Sequence, residues 1–358
     1  MKTTLILAAV CSSAAISWGF HDAMENGTPV ASVTSRQSAM GGVWALPSGG
    51  PASVFLNPAE LSMLDGPTVT GSAAIIEWES SIIGENTLNI LDTGTGGAGT
   101  LAFGMPLSGR LAAGAGIARV SDFGFNGLCT IMEQVGPGQF QVSSIQLLDA
   151  QGSLWEAGGG ISAELSDWLT VGVSGTLRFG SGSWDCRNVF VNQSVPDDTL
   201  SEAWEVSDPA VHGGVLIPLE FGTFALSGTN ATDRYLSRVA FGFQRDFRIL
   251  DGSTLGFEFD LQDIEDRPSW SGMFSAFLAE MIPSVRSTYS VGFTRPADPN
   301  RTALSMGTGA RIFLGNVDLD LGISWISRSR TGSLFPEPFV DSVDDAGTYF
   351  SVGMNWRL

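Results

Sequence analysis

Basic residues and histidine are scarce in this sequence. Lys2 is the only lysine, and 18 basic residues face 37 acidic ones in 358 residues, a formal net charge of −19. A chain this acidic is repelled by nucleic acid, so we expect no nucleic-acid partner. The histidines are His21 and His212, and no esterase, zinc-protease or P-loop motif is present. The sequence therefore predicts no enzyme, no catalytic residue, no metal site and no cofactor.

Long apolar runs are also nearly absent. The stretch from Leu5 to Ile16 is the longest, and it is too short for a transmembrane helix, which needs about 18 or more apolar residues. It lies behind Lys2 and is followed by Ser17 and Gly19, small residues at the two positions that signal peptidase reads. We expect residues 1–19 to be a secretory signal peptide.

Cysteine is rare too, with three residues in the chain. Cys11 lies within the predicted signal peptide, which leaves Cys129 and Cys186 in the exported protein. Thiols of exported proteins meet oxidising conditions. The sequence therefore predicts one disulfide, between Cys129 and Cys186.

Alternation of apolar with small or polar residues is the dominant pattern of the remaining chain. It is clearest over residues 349–358, 317–325, 255–262 and 169–179. A period of two is typical of β-strands with two unlike faces. The same alternation is present in segments 209–219, 237–245, 287–294 and 302–314.

Short and long connections between these strands alternate, as they do in outer-membrane β-barrels with short periplasmic turns and long outer loops. This holds only if residues 272–281 form a strand, although their apolar run also fits a short helix. With that strand the total is about fourteen. Tight connections are expected at 108–109, 166–168, 220–221, 250–253, 283–286 and 314–316, and longer ones at 80–97, 121–152, 182–208, 230–236, 264–271, 296–301 and 329–346.

The fold class that follows is an all-β transmembrane antiparallel barrel over residues 68–358. The alternative is a soluble all-β fold such as a propeller, which the fragment from Asp149 to Trp155 resembles. That fragment occurs once, whereas a propeller repeats its turn motif at a regular period. The membrane barrel is therefore favoured.

Charged residues on the polar faces of these strands would point into the lumen if the apolar faces meet lipid. Charges in a narrow barrel are costly, so we expect them to pair with each other, with a plug or with water. They could hold the plug in place, or they could be a structural ion-pair network. The predicted lumen charges are Arg178, Asp246, Glu258, Asp260, Arg311, Asp318, Asp320 and Arg357.

Residues 20–67 precede the first strand and are rich in Gly, Ala, Ser and Pro. They contain Arg36, then Met40-Gly41-Gly42, and later Asn57-Pro58-Ala59 followed by Leu61. Glycine allows close backbone approach, and Asn57 before proline can cap or turn the chain through its side chain. An ordinary surface turn is the simpler interpretation of the Asn-Pro pair alone.

This segment resembles the N-terminal signature of the FadL superfamily of outer-membrane barrels, which includes long-chain fatty-acid transporters and the PorV-like proteins of type IX secretion. The resemblance implies fourteen strands and a hatch, residues 20–67, inside the lumen. Two departures stand out: Ser48-Gly49-Gly50 replaces the family's acidic pair, and Glu60 replaces a glycine. The Met-Gly-Gly variant and the modest length are closer to the PorV-like branch.

Two functions follow from the resemblance. The first is transport of hydrophobic small molecules across the outer membrane of a Gram-negative cell, which implies an apolar pocket at the outer mouth and an opening or kink leading laterally to lipid. The second is a PorV-like component that holds or docks exported cargo protein, which implies a wide mouth and no such pocket. A purely structural barrel is a further alternative. In each case we expect a monomeric barrel in contact with outer-membrane lipid.

Overall fold

The computed structural model describes most of the chain with several gaps. The described residues are 28–29, 33–39, 42–46, 50–83, 87–88, 92–192, 194–232, 237–250, 253–262, 269–282, 285–296, 301–312, 316–332 and 341–358. Among them, no helix is long and apolar enough to cross a membrane.

Short elements make up the N-terminal part. Strand β1 is Thr28–Pro29, helix α1 is Ser35–Ala39, and two 3-10 helices follow at Pro51–Phe55 and Pro58–Met63. Proline opens both 3-10 helices, where its fixed φ suits the first turn and its missing N–H costs nothing. We call the described residues before Thr68 the hatch.

Strands account for nearly all of the rest, as the alternation predicts. Their bounds are β2 Thr68–Ile83, β3 Thr87–Leu88, β4 Asp92–Ser108, β5 Leu111–Asp122, β6 Phe125–Gly136, β7 Gln139–Ser166, β8 Leu169–Phe190, β9 Asp198–Leu219, β10 Gly222–Thr229, β11 Arg238–Leu250, β12 Ser253–Gln262, β13 Ser269–Ile282, β14 Val285–Pro296, β15 Arg301–Ile312, β16 Val317–Gly332 and β17 Asp341–Arg357.

Fourteen of these strands form a closed antiparallel barrel. Strands β2, β4, β5 and β7 to β17 each pair with two neighbours, and the ring includes the β9–β10 and β17–β2 pairs. Each strand of the ring is thus hydrogen-bonded to a neighbour on both sides over at least part of its length, as a membrane crossing requires. Strands β1, β3 and β6 add to this ring at its edges. The predicted fold class and strand number are confirmed.

Three of the predicted tight connections, at 108–109, 166–168 and 220–221, are confirmed, whereas those at 250–253, 283–286 and 314–316 include residues outside the described ones. Only two residues separate β4 from β5, β7 from β8 and β9 from β10. The ambiguous segment 272–281 lies within β13, so counting connections resolved what local pattern could not. We call the end of the barrel that carries these tight connections the short-turn end, and the opposite end the extended end.

Side-chain orientation shows what surrounds the barrel. Along β17, Phe350, Val352 and Met354 are 50%, 45% and 38% exposed, whereas the intervening Ser351 and Gly353 are buried. A contiguous exposed apolar surface of this size is unstable in water and stable in acyl chains. The barrel therefore spans a membrane. Other strongly exposed apolar residues are Ile75, Leu101, Phe103, Ile117, Ile161, Val173, Leu177, Val211, Leu226, Leu304, Met306 and Leu321.

The lumen holds the apolar core. Hatch residues such as Val54, Phe55 and Leu61 are almost fully buried, and they pack against small inward-facing wall residues including Ala112 and Ala225. The hydrophobic core is thus the contact between hatch and wall, and the hatch plugs the barrel.

Candidate functional site

Asn57 links two parts of the hatch through its side-chain amide. Its Nδ2 donates to Ala45 O (2.7 Å), and its Oδ1 accepts from the N–H of Ala59 (3.2 Å). The side chain therefore caps the second 3-10 helix and ties it to the preceding loop of the hatch. Asn57 is fully buried, so both bonds replace hydration that the amide has lost.

Wall glycines make room for this part of the hatch. A Cβ built at Gly214 of β9 would overlap Asn57 Oδ1, and one at Gly172 of β8 would overlap the backbone of Pro58 and Ala59. Glycine presents no side chain, so it lets the backbones of hatch and wall approach closely. Pro58 and Ala59 of the sequence motif thus lie directly against the wall.

Asp260 holds the loop that precedes this turn. Its Oδ2 accepts from the N–H of Ala45 (2.7 Å) and from the N–H of Trp44. The Arg238 guanidinium stacks 4.3 Å from the centroid of the Trp44 ring. A charged acceptor serving two backbone donors fixes this loop firmly to β12. Asp260 is one of the predicted lumen charges, and it contacts the hatch directly.

Helix α1 anchors the other side of the hatch. Gln37 is fully buried, and its Oε1 accepts from the N–H of Val33 (2.6 Å). Gly42 has φ +78° and its N–H donates to Gln37 O (2.9 Å), which ends the helix in a left-handed turn. On the wall, Ser324 Oγ donates to Ser38 O (3.0 Å). Met40 and Gly41, the other two residues of the predicted motif, lie outside the described residues.

Arg36 is the one basic residue of α1. It lies close enough to Glu258 of β12 and to Asp320 of β16 to interact with both electrostatically. Glu258 also has Glu60 of the hatch and Asp260 near it. The structure therefore brings predicted lumen charges and hatch residues into one cluster, in which Arg36 offsets part of the negative charge.

A second charged group lies at the short-turn end. Asp318 accepts from Arg311 at 2.5 Å and from Arg357 Nη2 at 3.0 Å, and so it links three adjacent strands. Asp246, near the same end of β11, is exposed. By register it shares the inward face with the buried Ala240 and Gly242.

The third polar group, around Glu156 of β7, is fully buried. Arg178 Nε donates to Glu156 Oε2 (3.1 Å), and His212 Nε2 and Thr176 Oγ1 both contact Glu156 Oε1. Arg178 also donates to Thr229 Oγ1 at 2.9 Å. This network joins β7, β8, β9 and β10 immediately beyond the hatch. Sequence analysis names Arg178, but it misses Glu156, whose place on the inward face could have been predicted from the alternation.

Apolar residues lie beyond that network toward the extended end. Val120, Phe123, Leu154 and Val206 are buried and pack together, and Trp204 packs on them with its ring 4.3 Å from that of Phe123. We call these five residues the mouth cluster. They lie on the inner face of β5, β7 and β9 and in the residues just after β5, so the inner wall becomes apolar above the hatch.

Strands β4 and β5 separate beside the mouth cluster, and we call this separation of the wall the parting. Pairing between β4 and β5 ends at Thr100 opposite Ala118. Above that level, within the described part of the chain, β4 pairs with β2 as far as Asp92, while β5 pairs with β7 as far as Asp122. The two strands therefore diverge toward the extended end. No sequence pattern indicates this parting, because it depends on register rather than on composition.

Cys186 is a buried free thiol in the structure, so the predicted disulfide with Cys129 is not formed there. The register gives the reason. Cys129 of β6 is opposite Gln146, and Cys186 of β8 is opposite Leu148, so strand β7 runs between them. Two strand spacings amount to roughly 9–10 Å, whereas a disulfide needs Cα atoms within about 7 Å.

No family model and no curated protein matches this sequence. Solved structures do match. A FadL homologue of Pseudomonas aeruginosa has a TM-score of 0.65 at 12% identity and covers 92% of this chain and 99% of its own. The toluene transporter TodX of P. putida has a TM-score of 0.61 at 11% identity and covers 93% of this chain and 99% of its own. The toluene transporter TbuX of Ralstonia pickettii has a TM-score of 0.57 at 14% identity, with 93% of this chain and 99% of its own covered.

These likenesses establish the fold. The fold is the one that the resemblance of the N-terminal motif to the FadL superfamily implies. The finer assignment to the PorV-like branch has no support from the comparisons, and neither has an exported cargo protein as a partner.

Proposed function

We propose that this protein is an outer-membrane transporter that passes hydrophobic small molecules. Its structural relatives include two proteins described as toluene transporters. The barrel carries an apolar outer band and a lumen filled by the hatch, so it is no open aqueous pore. A monomeric barrel whose partner is outer-membrane lipid fits this proposal.

The observation that carries the proposal is the mouth cluster beside the parting of the wall. An apolar solute gains free energy on leaving water for apolar side chains. The cluster supplies apolar side chains inside the barrel, where they pack against one another, and β4 and β5 diverge next to it. The divergence of β4 and β5 supports the lateral opening that sequence analysis expects of a transporter, and the mouth cluster supplies the apolar side chains that its pocket would need.

The hatch makes a straight passage along the axis unfavourable. Asp260 and Ser324 of the wall are hydrogen-bonded to it, and Asn57 packs against the wall at Gly214. Movement of a solute past it would break several of these at once. A route through the wall leaves the hatch in place. We therefore propose lateral passage into the membrane.

Uptake of the fluorescent dye N-phenylnaphthylamine by Gram-negative cells tests the function. Lipopolysaccharide slows entry of this apolar dye, so cells that produce the folded protein should take it up severalfold faster than cells with empty vector. F123D, which places a charge in the mouth cluster, should abolish the gain. The control F140D changes a Phe that is 49% exposed near the β6–β7 turn, and it should leave uptake unchanged. Equal uptake with and without the protein would refute the proposal.

No observation on the described residues favours the cargo-holding alternative. A cargo-holding barrel needs a wide mouth, whereas the mouth cluster narrows the lumen between β5 and β9. A purely structural barrel has no use for a parting of the wall. Transport is therefore the function that the geometry supports best.

A further inference from the structure

An arginine bridges the parting between β4 and β5. Arg119 Nη1, from β5, donates to Gly97 O of β4 at 2.8 Å. Its Nη2 lies 3.2 Å from Asp122 Oδ2, and Asp122 Oδ1 accepts from the N–H of Gly124 at 3.1 Å. The hydrogen bond from Arg119 to Gly97 O thus connects β5 to β4 where backbone pairing has stopped, and the ion pair with Asp122 of the same strand holds the guanidinium in place.

Both side chains are buried at positions that should face lipid. Arg119 is opposite Trp155 and follows Ala118, which packs against the hatch, so its register is that of the outer face. Yet Arg119 is 7% exposed and Asp122 is 0% exposed. A charge facing acyl chains is costly unless it finds a partner. Arg119 and Asp122 pair with each other, and their side chains turn into the gap between β4 and β5.

The contact is suited to breaking. Arg119 Nε is buried and has no hydrogen-bond partner among the described residues. A guanidinium with a buried unpaired N–H is satisfied less completely than one whose donors all find acceptors. Beyond Thr100 and Ala118, this side chain takes the place of a ladder of backbone bonds.

The hatch covers the same edge. Strand β1 pairs with β5, with Thr28 opposite Asp122 and Pro29 opposite Ser121. It occupies the edge of β5 that β4 has left. Within the described residues two pairs hold it, and one of them includes Pro29, which has no N–H to donate. These pairs supply little backbone hydrogen bonding to this edge.

Apolar residues flank the ion pair along the chain. Val120 and Phe123 belong to the mouth cluster, and they directly follow Arg119 and Asp122 in the sequence. The ion pair thus lies between the apolar inner surface and the membrane. A molecule that leaves the cluster through the parting has to pass it.

We propose that Arg119 and Asp122 form a latch that holds the parting closed, and that its release opens the lateral passage for apolar molecules. This inference rests on the proposed transport function and names the residues that control it. The latch breaks when Arg119 exchanges Gly97 O for water or headgroup oxygens. Strands β4 and β5 then separate above Ala118 while the rest of the barrel keeps its pairing.

A reversible crosslink tests the latch. Gly99 and Arg119 are the next positions in register above Thr100 and Ala118, so G99C and R119C should form a disulfide across the parting. The background carries serine at both native barrel cysteines. Under reducing conditions the latch is absent, and dye uptake should exceed that of the background severalfold. Oxidation should lower it to the empty-vector level. Equal uptake in both states would overturn the proposal.

Hydrogen exchange gives a readout that does not depend on transport. In detergent micelles, R119Q should speed amide exchange of residues 97–100 severalfold and leave residues 210–219 of β9 unchanged. R119K, which keeps the charge, should restore much of the protection. The control R187Q removes an exposed ion pair with Asp197 and should have no effect. Unchanged exchange in R119Q would refute the latch, whereas absence of dye uptake by the unmodified protein would refute the transport function.

Folding is verified separately for each variant. A folded barrel migrates differently from its boiled form in detergent gels, so every variant is compared before and after heating. If R119Q did not fold, the oxidised and reduced states of the crosslinked protein would still decide the proposal, because they share one sequence.

Discussion

Asn57 of the hatch occupies the space that Gly214 leaves in the wall, and a methyl group at Gly214 would overlap its Oδ1. The residue before it in β9, Gly213, points outward and has open space around its Cβ position. Two adjacent glycines of one strand therefore differ completely in what they permit. Gly214 makes room for the hatch, whereas Gly213 is an ordinary position of the outer face.

We predict that G214A loosens the hatch while G213A does not. Overpacking a filled site costs about 1–3 kcal/mol, and here the strain falls on Asn57 and its bonds to Ala45 and Ala59. Protease cleavage of the hatch in folded protein measures the effect. G214A should be cut several times faster than the unmodified protein. Equal cleavage of the two variants would contradict the assigned role of Gly214.

Asn57 itself provides the second prediction. N57A removes a cap and a buried bond to Ala45 O, and it should destabilise the hatch by about 1–3 kcal/mol. N57D keeps an oxygen for the cap but loses the donor, and it places negative charge beside a carbonyl oxygen. We expect N57D to be no better than N57A. Conductance in planar bilayers measures both, because a displaced hatch leaves a water-filled lumen. An N57D protein that is as stable as the unmodified protein and shows no added conductance would contradict the role assigned to Asn57.

Sequence analysis predicts the strands of this molecule well because alternation and the number of connections can both be read from the sequence without knowing which side chains meet. Alternation with a period of two identifies strands such as β17, and the parity of the connections identifies β13. The direction in which the side chains point also follows, since Val352 faces outward and Ser351 faces inward. None of these predictions depends on which strand lies next to which.

The interior is predicted less well because it depends on register and on the path of the hatch. Asp260 and Arg178 are both named from the sequence as lumen charges, yet one holds the hatch and the other pairs with Glu156. Which charges meet is set by the stagger of the strands. The latch is missed for the same reason: Arg119 has the register of the outer face, and only the divergence of β4 gives it a partner.

The third prediction concerns the buried network. E156Q leaves Arg178 buried without its counter-charge, and breaking a buried pair in this way costs about 3–5 kcal/mol. The control D197N breaks the exposed pair with Arg187, in which the two side chains are 37% and 57% exposed, and it should cost less than about 1 kcal/mol. Urea unfolding of the barrel in micelles or vesicles measures both values. Similar losses of unfolding free energy for the two variants would show that the buried network stabilises the barrel no more than an exposed ion pair does.

The fourth prediction tests the membrane assignment. Val352 lies on the outer face in the middle of β17 and is 45% exposed, while Val135 lies near the β6–β7 turn and is 53% exposed. If the outer face contacts acyl chains, V352R should destabilise the barrel by about 2–4 kcal/mol. V135R should change stability by less than about 0.5 kcal/mol, because a solvated surface position tolerates charge.

Folding into lipid vesicles distinguishes the two environments. V352R should fold more slowly and unfold at lower urea than V135R, since arginine near the bilayer midplane loses its hydration whereas arginine in a loop keeps it. The two valines are nearly equally exposed in the bare protein, so solvent accessibility alone predicts no difference between the variants. Equal stability would mean that β17 faces water. The apolar band, the lateral passage and the latch would then lose their physical basis together.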